Sequence, residues 1–203
     1  MSAGERNRGR EAAEQALIVA AAELLGEIGP RATSVRDIAA RAGVNHGLVH
    51  HYFGGKDGLL REGMKRLVHD HHHFAAQQRM GGIVPAPLGL TGDQRYLRAV
   101  ARCVLDGEMG LARTELDEGV SVPNQALVAL TEHHQLGEPT LAMKAELALA
   151  AATEMGWAAL EPFLFLVAGV RPNEQHEVRE LARQLREAQL HQHLASLAET
   201  ALP

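Results

Sequence analysis

Apolar residues recur every three or four positions through residues 11–28, at Leu17, Ala21, Leu24, Leu25 and Ile28. That period predicts an amphipathic helix with one buried face. Gly29-Pro30 stops it. Thr33-Ser34 supplies two helix N-cap types, Asp37 is placed to support the first turn, and a short helix follows through Ile38, Ala39 and Ala40. Gly43 breaks this helix and Asn45 is a second N-cap. Another short helix runs through Leu48, Val49 and Tyr52 to Gly54-Gly55. From Asp57 a longer helix places Leu60, Met64, Leu67, Val68, His71 and Ala75 on one face and ends by Gly81-Gly82. Residues 81–92 hold Pro85, Pro87 and four glycines and read as a loop.

Further helices are expected at about 93–106, 124–136, 140–168 and 174–198, whereas 107–122 has no clear period. Pro162 lies in an apolar run and is expected to kink or split its helix. In the last helix Val178, Leu181, Leu185 and Ala188 form one stripe, and Leu190, Leu194 and Leu197 another, displaced around the axis. A helix apolar on more than one side needs more than one cover: its own domain and, on the other side, a second subunit. Aromatics are 3% of the 203 residues and Ala and Leu dominate, so strand-forming material is thin and the fold class is all-α.

Charge is uneven. Residues 1–60 carry seven basic and seven acidic groups, so residues 61–203 hold the whole formal charge of −5. A broadly basic nucleic-acid coat is excluded. The first ten residues hold Arg6, Arg8 and Arg10 against Glu5 and resemble a flexible basic arm. The single cysteine, Cys103, excludes an internal disulfide framework and a multi-cysteine zinc site. No apolar stretch is long enough for a membrane span and no apolar region follows the N-terminus, so the expected compartment is the cytoplasm.

The segment 33–56, TSVRDIAARAGVNHGLVHHYFGGK, suits two short helices crossed at a tight turn. Ile38 and Val49 are apolar where the helices would pack, Ala39 is small where they would cross, and Gly43 can take the left-handed turn conformation. The second helix would present Asn45, His46, Gly47, His50 and His51 outward, as a helix-turn-helix presents its recognition helix to the major groove.

With Thr33, Val35-Arg36-Asp37-Ile38-Ala39, Ala42-Gly43-Val44, Gly47, Tyr52-Phe53 and Lys56, this segment closely resembles the DNA-binding domain of the TetR family of bacterial transcriptional regulators. The resemblance covers about residues 10–65. It implies an N-terminal helix-turn-helix domain over 11–56 and a helical ligand-binding and dimerisation domain over 57–203. It implies that Thr33 caps the second helix and bonds a phosphate. Asn45 would cap the recognition helix, His46 and Gly47 would lie at the groove floor, and His50, His51 and Lys56 would reach the backbone. Ser34, Arg36 and Tyr52 complete the expected DNA-facing set. The implied partners are a palindromic double-stranded operator, a second copy of the chain and a small-molecule effector, apolar or amphipathic, that releases a repressor from DNA. No cofactor and no membrane is implied.

For the effector, His71, Phe74, Tyr96, Met109, Trp157, Phe163 and Phe165 are candidate pocket residues, because large apolar side chains commonly line pockets. Leu181, Leu185, Leu190, Leu194 and Leu197 are candidates for the dimer face. His69, His72 and His73 share a helix side at spacings that can chelate Zn²⁺ or Ni²⁺, which makes a metal-responsive regulator the alternative. An enzyme is disfavoured: there is no phosphate-cradling glycine loop, nucleophile elbow or Ser/His/Asp spacing.

His50 departs from the family, whose members commonly carry Tyr there. A neutral histidine still donates one hydrogen bond, and protonation adds attraction to phosphate. DNA affinity is therefore expected to rise as pH falls toward about 6. Binding titrations across that range, corrected for protein stability, check this; a flat profile contradicts it.

Overall fold

The computed structural model of the chain describes residues 3–78 and 84–200, and of residues 3, 5, 6 and 191–200 the helical backbone alone. Every regular element among the described residues is helical. In chain order these are α1 (Ala3–Glu27), α2 (Gly29–Ala32), α3 (Val35–Ala42), α4 (Gly47–Phe53), α5 (Lys56–Gln78), a 3-10 turn η1 (Gly89–Gly92) and α6 (Gln94–Leu105). Then come α7 (Met109–Ala112), α8 (Thr114–Asp117), α9 (Val122–His133), α10 (Leu141–Val167), a second 3-10 turn (Pro172–Glu174) and α11 (Gln175–Thr200). No helix among the described residues is long and apolar enough to cross a membrane.

Helix α1 starts well ahead of residue 11, so Arg8 and Arg10 stand on a helix rather than on an extended arm. Pairs one turn apart support the extension: Asn7 donates to Glu11 at 2.7 Å and Arg10 to Glu14 at 2.8 Å. At its other end α1 stops at Glu27, and Ile28, the last residue of the expected stripe, is 41% exposed. The uncertain stretch 107–122 contains α7 and α8, each four residues long and too short to show a period.

The chain divides into two compact units. The first comprises Met1–His73 with Gln94–Ser121, the second Phe74–Asp93 with Val122–Pro203. The first unit thus reaches past residue 56, where the sequence placed the end of the DNA-binding part. Its core explains why. Leu17, Ala21 and Leu25 of α1 are fully buried, as are Ile38, Val49, Leu59 and Met64. Helix α1 packs against α3 and equally against α6. A Cβ added to Gly26 would lie 2.7 Å from Cγ of Arg95, so the absence of a side chain there lets α1 and α6 approach closely. Arg102 of α6 donates to the carbonyl of Glu27, and the Arg31 amide donates to the Asp106 carboxylate at 3.2 Å. These bonds occupy polar groups at the end of α1 and in α2.

In the second unit Ala75, Leu90 and Val122 form a buried cluster with Phe74 packed on it. Thr140 caps α10, its hydroxyl accepting from the Met143 amide at 3.2 Å. Helix α10 runs through Pro162 without being split. Contacts just before the proline hold the helix there: the Trp157 indole donates to Glu161 at 2.9 Å, and Arg179 of α11 grips both oxygens of Glu161 at 2.8 Å. A second ion pair, Arg186 to Glu146, joins α11 to α10 nearer its start.

Glu154 of α10 is the electrostatic oddity of this unit. Its carboxylate accepts from the amides of Leu88 and Leu90, while its buried Oε2 has no hydrogen-bond partner among the described residues. Leu88 sits at φ +57°, a conformation unfavourable for a branched side chain, and its amide bond to Glu154 helps hold it there. Burial pushes the Glu154 carboxyl up to about 7 from the usual 4.5, against the pull of those amides and Arg186. A folded-state pKa above the unfolded one means that the native state holds the proton longer. This group's contribution to stability is therefore present at low pH and lost as pH rises from 4.5 to about 7. Glu154→Gln is expected to stabilise the protein at pH 8 by up to about 3 kcal/mol, the gain shrinking toward pH 5. Urea unfolding of both proteins at the two pH values checks this.

Candidate nucleic-acid interface

The helix-turn-helix is assembled from local bonds and one apolar contact. Ser34 caps α3: its hydroxyl accepts from the Asp37 amide at 3.2 Å, and the Asp37 carboxylate accepts from the Ser34 amide at 3.2 Å. This reciprocal capping box satisfies two amide donors at the helix start. Thr33, expected to make the cap, leaves it to Ser34. Thr33 is buried, and its hydroxyl donates to the Gly29 carbonyl at 2.7 Å, one turn back. The sequence offered two adjacent capping types, and only the fold tells which one faces outward.

Gly43 ends α3 at φ +68°, the left-handed region where a Cβ is costly. The amides of Gly43 and Val44 turn back to the carbonyls of Ala40 and Ala39 at 3.2 and 3.0 Å. Oδ1 of Asn45 accepts from the Gly47 amide at 2.8 Å, fixing the entry to α4. Ile38, Ala39 and Val49 are buried, and Val44 is half-buried.

Packing one face of α4 inward leaves the other out. Asn45, His46, Gly47, His50 and His51 are all exposed, and Tyr52 is half-buried. Arg36 lies exposed on α3, and Lys56 begins α5. The ring of His51 meets Tyr52 at 5.1 Å, and Tyr52 meets Phe53 edge-on at 6.3 Å. Arg41, also on α3, is engaged in internal pairs. Its guanidinium is 2.7 Å from Glu27 and 3.7 Å from Glu23. The bond to Glu27 raises the arginine further and holds the Glu27 carboxyl below its usual value.

The candidate effector residues divide between the two units. In the first unit the buried rings of His71 and Tyr96 stack at 4.0 Å, and the Tyr96 hydroxyl donates to Glu115 at 2.7 Å. Met109 does not join them; at the start of α7 it is 57% exposed. A groove of about 400 Å³ in this unit is lined by Glu23, Gly26, Glu27, Gln94, Arg95 and Arg98. In the second unit Trp157 and Phe165 meet edge-on at 6.0 Å, and Phe74 reaches to Gly92. Phe163 turns outward at 59% exposure, because the buried side of α10 here belongs to Ala158, Glu161 and Phe165.

Leu181 and Leu185 are exposed on α11 and Leu190 is half-buried, while the side chains of Leu194 and Leu197 lie outside the described residues. His69 lies 3.3 Å from Glu118, which also lies 3.5 Å from Lys65. Among the described residues no group of three His, Cys, Asp or Glu side chains is placed to hold a metal ion, so the His69, His72 and His73 cluster lacks a complete ligand set.

Residues 17–62 match the family described as bacterial regulatory proteins, tetR family. Over 172 residues the chain is 33% identical to an HTH-type transcriptional repressor of Mycobacterium tuberculosis, covering 84% of this chain and 85% of that protein. It is 40% identical over 67 residues to the HTH-type transcriptional regulator BetI 1 of Chromohalobacter salexigens, 33% of either chain. A tetR-family transcriptional regulator from Streptomyces coelicolor has the same fold, with a TM-score of 0.59 at 23% identity over 94% of this chain and 82% of that one.

Removing the local devices that shape the turn has a calculable cost. Ser34→Ala is expected to lower stability by about 1 kcal/mol through the lost cap. Gly43→Ala, forced to keep a left-handed backbone, costs about 1–2 kcal/mol. Denaturant midpoints followed by circular dichroism read both; unchanged midpoints would contradict the capped turn.

Proposed function

This chain belongs to the TetR family of bacterial regulatory proteins and is a DNA-binding transcriptional regulator; on that premise we propose that it is a homodimeric repressor released from a palindromic operator by a small organic ligand. The observation that carries the DNA-facing assignment is the exposed row Asn45, His46, Gly47, His50 and His51 on a short helix whose opposite face is buried. In this reading His46 and Gly47 meet base edges, where the missing side chain of Gly47 permits close approach. Asn45, whose Oδ1 already serves the Gly47 amide, offers its NH₂ group to the duplex. Arg36, His50, His51 and Lys56 bind phosphates and fix the register. Lys56 starts a long helix, where the helix dipole disfavours a cation, so an arriving phosphate gains from both the ammonium and the helix end.

One such head makes too few contacts for tight specific binding, and a symmetric dimer supplies two. The proposed dimer face comprises Leu160, Phe163 and Val167 of α10 with Leu181 and Leu185 of α11, all exposed in the single chain. On α10 they recur at three- and four-residue spacing, the pattern of a helix face made to be covered. That the M. tuberculosis relative is named a repressor supports the sign of the regulation.

An apolar or amphipathic effector is proposed to act where His71 and Tyr96 stack, between α5 and α6. Helix α6 packs along α1, which in turn holds α3, so a ligand that displaces α6 shifts the helix-turn-helix. Binding that favours a spacing of the two heads unsuited to successive grooves then empties the operator.

Two measurements test the proposal. Lys56→Ala and His46→Ala are each expected to weaken binding to an operator selected from random duplexes by about tenfold or more, with unchanged melting temperature; normal binding by both would remove α4 as the recognition helix. In a thermal-shift screen of metabolites and lipids, a compound that raises the melting temperature is expected to release the selected DNA. If every stabilising compound leaves the complex intact, release by a ligand is wrong.

A further inference from the structure

The recognition helix contains no lysine or arginine. Its sequence, Gly-Leu-Val-His-His-Tyr-Phe, offers only histidine as a cation, and Arg41 is held by Glu27 and Glu23. A helix of this composition needs permanent charge from a neighbour to hold a polyanion at neutral pH. The fold supplies one beyond Arg36 and Lys56. The guanidinium carbon of Arg10, near the start of α1, lies 5.4 Å from the centre of the Tyr52 ring on α4.

We infer that Arg10 is a DNA-contacting residue, binding a backbone phosphate beside the recognition helix. The inference rests on the reading of α4 as the DNA-facing helix. Three features support it. Arg10 is exposed, so the phosphate meets no steric barrier. Its Nε donates to Glu14 at 2.8 Å, which fixes one edge of the planar fork and leaves the terminal nitrogens without a hydrogen bond among the described residues. The Tyr52 ring holds the plane of the fork from the side, as arginine stacks on aromatic faces elsewhere. A lone arginine on a frayed terminus would lose much conformational freedom on binding. Here the continuation of α1 to Ala3, the Glu14 bond and the Tyr52 contact reduce that loss in advance. Glu14 partly offsets the charge, but its carboxylate sits on the Nε side, away from the free edge.

A phosphate contact has a signature that a structural role does not share: it steepens the salt dependence of binding equally on all sequences. The experiment measures affinity against NaCl concentration for the wild type, Arg10→Gln and Arg41→Gln, on a selected operator and on a random-sequence duplex. Arg10→Gln is expected to reduce the slope of log K against log salt by about 0.9 for each head bound, on both duplexes. With two heads bound, the advantage of the wild type over this variant then falls about tenfold between 50 and 200 mM salt. Arg41→Gln is expected to leave the slope unchanged. A wild-type slope for Arg10→Gln, or an equal loss for Arg41→Gln, overturns the assignment. Should the wild type select no operator, the operator reading fails by itself, while the slope on the random duplex still decides for or against Arg10.

Discussion

The buried stripe of α1, Leu17, Ala21, Leu24 and Leu25, is shared by two sets of neighbours, and the position of the recognition helix depends on that sharing. Helices of four to eight residues such as α2, α3 and α4 are too short to be stable alone. They exist because Ile38 and Val49 find an apolar partner, each such burial contributing about 2 kcal/mol. The same α1 carries α6, close enough at Gly26 that no side chain would fit. Glu27 joins the two sides: its carboxylate takes Arg41 of α3 and its carbonyl takes Arg102 of α6. Exposed ion pairs of this kind contribute at most about 1 kcal/mol, so they set orientation while the apolar stripe supplies the stability. A shift of α6 therefore meets a stiff, close-packed post rather than a flexible tether.

A first segment with no net charge binding a polyanion looks contradictory until the charges are placed. The acids Glu23 and Glu27 are engaged with Arg41, and Asp37 with the start of α3. What remains near α4 is Arg36 and Lys56, with Arg10, whose Nε side is paired with Glu14, and three exposed histidines. Net charge therefore says little about the field at one face, because short-range pairing removes both signs together.

The helical class, the two short crossed helices and the long terminal pair were legible from periodicity and turn residues, since these are local signals. Three kinds of information were not. Whether Thr33 or Ser34 faces outward depends on burial of the Gly29–Ala32 turn, which no local pattern encodes. The pairing of Arg41 joins α3 to α1 across the chain, and the approach of Arg10 to Tyr52 joins α1 to α4. Such long-range partners leave no spacing to read. The helical state of residues 3–10 did have a signal in the Asn7–Glu11 and Arg10–Glu14 spacings. The glycines beside them, which favour disorder, masked it.

In the second unit Trp157 and Phe165 pack beside an ion pair. Trp157 and Phe165 close around Glu161, whose two oxygens are gripped by Arg179, and Arg179 lies 5.1 Å from the Phe165 ring centre. A half-buried ion pair of this kind adds little net stability, because desolvation consumes most of the attraction. What it adds is register: a carboxylate so enclosed tolerates one partner at one place, and any slip of α11 along α10 would strand it. Fixing that register also fixes which residues face outward. Leu160, Phe163 and Val167 on one helix and Leu181 and Leu185 on the other keep their spacing because Glu161 and Arg179 keep theirs. The polar cluster thus specifies the outer apolar surface without taking part in it, and it holds α10 in place on both sides of a proline that would otherwise invite a break.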